Sequence, residues 1–148
     1  MSAKARTSFS SVVLLTTAAL IVALLARAEG QTQQTKQVMQ QKLAQSQQLL
    51  GAVVTSNWAA LTQRTQALES LTRQPGWQFL ETPEYRTYTT AFEKATQALA
   101  AAAQQRDQRT AATAYSQLVN SCVECHRYVA RARIAADTLP LPQSAVFR

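Results

Sequence analysis

The sequence predicts an all-α protein, an antiparallel up-down-up-down bundle of four helices, and three observations carry that expectation. Beyond residue 28 the chain is rich in Ala, Gln and Leu, all strong helix formers. Breakers are few, with glycine only at Gly30, Gly51 and Gly76 and proline only at Pro75, Pro83, Pro140 and Pro142. Between them apolar residues recur at helical spacing, and the connections are short, which makes consecutive helices antiparallel neighbours.

Residues 1–28 read as a targeting segment. Lys4 and Arg6 precede an apolar run from Val12 to Ala26, and Ala26-Arg27-Ala28 supplies an A-x-A cleavage pattern ahead of Glu29. The run is shorter than the roughly 20 residues of a membrane-spanning helix, although Phe9, Ser10 and Ser11 would lengthen it. A cleaved signal peptide is the expectation and an uncleaved N-terminal anchor the alternative; both fit a periplasmic or otherwise exported protein. Residues 29–136 then form one domain with a single core.

The first helix of that domain is expected from about Thr32, with Met39, Leu43, Leu50, Val53 and Val54 at helical spacing, and Thr55-Ser56-Asn57 supplies a turn with N-cap residues. Trp58, Leu61, Leu68 and Leu71 mark the second helix, which Gln74-Pro75-Gly76 ends. The connection from Pro75 to Thr82 contains Trp77, Phe79 and Leu80, too apolar for a solvated loop. It is expected to close one end of the core, with a flap over a cofactor edge as the alternative. Thr82-Pro83-Glu84 opens the third helix with an N-cap, a proline at the first position and an acid in the first turn. Its buried stripe is Tyr85, Tyr88, Phe92, Ala95 and Leu99. Asp107 caps the fourth helix, which carries Ala111, Tyr115, Leu118, Cys122, Cys125 and Val129 on one side and fades near Asp137. Residues 137–148, with Leu139-Pro140-Leu141-Pro142, read as an extended tail.

Cys122-Val123-Glu124-Cys125-His126 uses both cysteines and the only histidine of the chain. This C-x-x-C-H order suits covalent haem attachment, in which two thiols add to the haem vinyl groups and the adjacent imidazole coordinates the iron. A redox disulfide would belong in a βαβ pattern, and nothing here alternates strand with helix. Structural zinc usually takes four Cys and His ligands, and the chain offers three. On a helix these residues stand at i, i+3 and i+4, expected to face inward, with a haem lying inside the bundle.

Four helices, a haem-attachment motif late in the last, and an exported chain of this size resemble the class II c-type cytochromes, the cytochrome c-prime family. Class I cytochromes carry the motif near the chain start instead. The resemblance implies one covalent haem c on Cys122 and Cys125, with His126 as proximal iron ligand. Within Thr35-Lys36-Gln37-Val38-Met39-Gln40, Met39 is similar to the sixth ligand of the family's low-spin branch; the alternative is a flexible core filler beside an open iron. Lys36, three residues before Met39, and Lys42, three after it, are candidate partners of haem propionates. Family members usually carry Lys or Arg four residues after the histidine, where this chain has Ala130; Arg127, Arg131 and Arg133 stand nearby, expected at a solvated helix end.

Electron transfer with redox partner proteins is the expected function. Binding or buffering of nitric oxide or carbon monoxide at a vacant distal site is the alternative, and the resemblance implies homodimers through the first two helices. A scaffold merely rigidified by haem is a third reading. Three of the fifteen cations, Lys4, Arg6 and Arg27, lie ahead of residue 29, leaving twelve against eight acids, or +4. No Lys/Arg-rich run interleaved with aromatics accompanies that charge, so nucleic acid is not an expected partner. Enzymatic acid–base chemistry is not expected either, because the carboxylates are dispersed and the one histidine is committed to iron.

Overall fold

The computed structural model describes the backbone of residues 4–78 and 80–138, and the side chains of residues 27, 29–78 and 80–135. Among them are helices α1 (Lys4–Val54), α2 (Trp58–Thr72), α3 (Pro83–Gln105) and α4 (Gln108–Thr138), a short 3-10 turn at Pro75–Trp77, and no strand. Each helix packs against its neighbours in chain order, and α4 returns to α1, closing a four-helix bundle. The α1–α4 seam is the sparsest of the four. Its direction is antiparallel: Gln108 at the start of α4 donates to the carbonyls of Val53 and Val54 at the end of α1, and Tyr115 further along donates to that of Ser46.

The helix starts follow from local chemistry. Asn57 accepts from the Ala60 amide at 3.1 Å, Thr82 from the Tyr85 amide at 3.2 Å, and Asp107 from the Arg109 and Thr110 amides at 3.0 and 3.1 Å. Each satisfies amides that a helix start leaves without a carbonyl. The two tightest reversals need left-handed backbone, at Ser56 and at Arg106, both with φ 53°. Bonding to Thr110 and Arg109 holds the exposed Asp107 carboxyl below its ordinary range.

Two boundaries differ from expectation. α1 begins at Lys4 rather than near Thr32, because Ala28–Gln34 holds only two weak helix formers, Gly30 and Thr32, and one internal glycine costs only about 1 kcal/mol. The helix passes without a break through residues 28 and 29, where the leader or anchor was expected to end. The side chains of Val12–Ala26 lie outside the described residues; among those described, no helix is long and apolar enough to cross a membrane. α4 continues to Thr138, and residues 139–148 of the expected tail lie outside the described residues.

The core is built from Leu49, Leu61, Leu68, Phe92, Leu99 and Leu118, each essentially without solvent contact and each contributing about 1.5–3 kcal/mol by burial. The buried stripe of α1 is a correction. Val53 is buried and Met39 partly buried as expected, but Val38, Lys42, Leu49 and Ala52 complete the inward stripe, whereas the expected Leu43, Leu50 and Val54 are exposed. Both sets satisfy helical spacing, and only the neighbours of α1 decide between them. Buried hydroxyls are satisfied locally: Thr65 donates to the Thr62 carbonyl, Thr96 to that of Phe92 and Ser121 to that of Leu118.

The connection after α2 closes the core. Trp77 is buried, its ring 4.9 Å from that of Phe92, and its indole N–H donates to Thr89 at 3.1 Å. The Tyr85 hydroxyl donates to the Trp77 carbonyl. Leu80 packs at the edge of the core, and Phe79 lies outside the described residues. Gly76 lets this turn sit on α1, since a Cβ there would come within 2.6 Å of the Gln34 carbonyl group. Gly76→Ala is therefore expected to lower stability by about 1–3 kcal/mol through overpacking. Gly51→Ala meets nothing within 4 Å and is expected to raise it by about 0.5–1 kcal/mol. Thermal unfolding of the two variants checks the opposite signs.

Candidate haem site

The sparse α1–α4 seam opens into a groove of about 880 Å³, within the size range of cofactor sites. α1 contributes Lys36, Met39, Gln40, Lys42, Leu43, Ser46 and Gln47; α4 contributes Tyr115, Val119, Cys122, Val123, His126, Arg127 and Ala130. Helical spacing explains the selection, since Tyr115, Val119, Cys122 and His126 advance by four, three and four residues, as do Lys36, Gln40, Leu43 and Gln47. Antiparallel packing then sets Met39 across from the motif. The walls are mostly apolar and bear the cations Lys36, Lys42 and Arg127 without a carboxylate. An apolar macrocycle with two propionates fits that donor set, with the Cys122 thiol and the His126 imidazole on one wall, the Met39 thioether on the other, and Cys125 beside the groove rather than lining it.

The motif does not turn inward as a unit. Cys122 and Cys125 are half-buried against the core, whereas His126 is exposed on the groove side. At about 100° per residue, Cys125 follows the buried line through Leu118 and Ser121, and His126 falls roughly 100° away from it. Cys122 lies between them. Burial pushes the Cys125 thiol above its ordinary pKa; the Lys42 charge acts in the opposite direction. A raised pKa leaves less thiolate at neutral pH.

The candidate cations separate. Lys36 is exposed at the rim, near the Ala130 end of the groove. Lys42 is buried, and its ammonium lies 4.0 Å from the ring centre of Phe92 and 4.5 Å from that of Trp77. Its neighbours here are aromatic faces in the core. Arg127 pairs with Glu124 at 3.0 Å, an exposed i, i+3 contact. Arg131 and Arg133 are exposed, as at a solvated helix end.

Tyr115, on the same side of α4 as Cys122 as the sequence predicts, is half-buried, lines the groove and donates to the Ser46 carbonyl across the seam at 3.2 Å. The signal was there in its spacing of seven from Cys122. Tyr115→Phe removes this tie and is expected to cost about 0.5–1.5 kcal/mol in chemical denaturation while leaving the helix content unchanged.

The described residues define a four-helix bundle with an apolar groove between its first and last helices. The family model described as Cytochrome C' matches residues 16–128, most of the chain and all of the Cys122–His126 motif, and the chain belongs to that family. It is a haem c protein by that membership. Neither the curated proteins nor the solved structures contain a significant match.

Proposed function

We propose that this chain is an exported monohaem c-type cytochrome that transfers electrons, with haem attached through Cys122 and Cys125, His126 as proximal ligand and Met39 as distal ligand. The observation that carries the reading is the convergence of Met39, Cys122 and His126 on one groove, although Met39 precedes the motif by more than eighty residues. When bound, haem c supplies a one-electron iron couple, whose potential a thioether ligand raises.

The residues divide the remaining work. Cys125 lies toward the core and Cys122 at the groove wall, and both would hold the haem as thioethers. Leu43, Val119 and Val123 supply apolar wall beside it. Lys36 stands at the rim, where an ammonium can meet a propionate without leaving water. The groove is open to solvent, which leaves an edge for a redox partner protein. Export rests on the apolar run and the A-x-A pattern before Glu29.

Replacing Cys122 and Cys125 together by Ala is expected to leave all haem extractable by acid-acetone. Covalent haem in that variant would overturn the attachment. Met39→Leu keeps the volume, so stability is expected to fall by less than about 1.5 kcal/mol. Its absorption spectrum is expected to change from low-spin to five-coordinate, with a lower potential and new affinity for carbon monoxide. An unchanged spectrum and carbon monoxide affinity would make Met39 a core residue and favour the gas-binding reading.

A further inference from the structure

Lys42 occupies a position that chain packing alone would assign to an apolar residue. It is 6 % exposed, falls on the same inward stripe of α1 as Val38 and Leu49, and forms no ion pair among the described residues. Burying an ammonium forfeits its hydration and pulls its pKa below the ordinary lysine range, and a methionine or leucine would fill the space without that loss. Part of the loss is offset by the two aromatic faces, which attract a cation at the observed 4.0 and 4.5 Å. That cushion is rigid: Phe92 is wholly buried, and Trp77 is fixed by its bond to Thr89 and by the seating of Gly76 on α1.

The same side chain also lines the α1–α4 groove with Met39 and Cys122. The other cations of the groove are less suited to act on its contents. Lys36 is exposed to water, and Arg127 is exposed and already paired with Glu124. Exposed charges are screened, whereas a charge inside a low-dielectric core acts at greater strength.

We propose that Lys42 is a positioning residue for haem chemistry: a fixed cation on the inner wall of the groove that raises the reduction potential of the iron. Reduction takes one electron from a donor and lowers the positive charge of the iron by one, so a nearby buried cation disfavours the ferric form more than the ferrous one. The rings hold Nζ in the core, which assigns Lys42 a role through charge rather than through coordination. The inference rests on the proposed placement of haem in this groove.

The test is a spectroelectrochemical titration of the haem-loaded wild type, Lys42→Met and Lys42→Arg, with thermal unfolding of the haem-free chains alongside. Lys42→Met is expected to keep covalent haem and an unchanged absorption spectrum, while its reduction equilibrium moves at least tenfold toward the oxidised form, about 59 mV for one electron. Lys42→Arg retains the charge and is expected to stay within threefold of wild type. The haem-free Lys42→Met chain is expected to unfold at the same or a higher temperature. An unchanged potential in Lys42→Met would overturn the inference, as would altered axial-ligand bands, which would make Lys42 a ligand. A marked loss of haem-free stability would reduce Lys42 to a structural role. Absence of covalent haem from the wild type would instead sink the proposed function itself, a result distinct from any of these.

Discussion

Trp77 packed on Phe92 is the contact on which the rest of the molecule depends. It brings together the 3-10 turn, α3 and, through Gly76, the backbone of α1. Few other groups could serve. The indole presents a large apolar face to the core and one polar edge, and that edge is satisfied by Thr89. With the turn seated on Gln34 and Thr35, the orientation of α1 about its own axis is settled, so Val38 and Lys42 face the core. Met39, one residue on from Val38, then falls at the groove.

The bundle is correspondingly uneven. α2 and α3 pack along apolar stripes, and α3 and α4 share the most extensive interface, extended at one end by Tyr88 against Tyr128 and by Thr82 bonded to the Tyr128 hydroxyl. The α1–α4 seam is instead tied at one end, by Gln108 on the last carbonyls of α1 and by Tyr115 on Ser46, and widens beyond those ties into the groove. An open seam exposes apolar wall at Leu43, Val119 and Val123, a cost that a bound macrocycle would offset by covering it.

Charge follows the same asymmetry. The groove has cations and no carboxylates, graded from exposed Lys36 and paired Arg127 at the rim to buried Lys42 on its aromatic cushion. Rim charges suit recognition, because water lets them exchange partners. A charge in the wall suits a lasting influence on whatever lies beside it, since neither solvent nor salt reaches it readily.

Much of this was legible in the sequence. The all-α class, the number of helices, the caps at Asn57, Thr82 and Asp107 and the packing role of the Pro75–Thr82 segment follow from local signals, for which a few neighbouring residues carry all the information. The motif identified haem chemistry in the same way, because C-x-x-C-H is a local arrangement of donors. What local signals could not choose was rotation about a helix axis. α1 offers one stripe through Leu43, Leu50 and Val54 and another through Val38, Leu49 and Ala52, and no residue within the helix distinguishes them. Burial of Lys42 and exposure of His126 have the same origin: both depend on which arc of the helix its neighbours cover. The seating of Trp77 and Gly76 on α1, and the position of α3 beside α4, cover those arcs, and these are contacts between residues far apart in the chain that only the tertiary structure brings together.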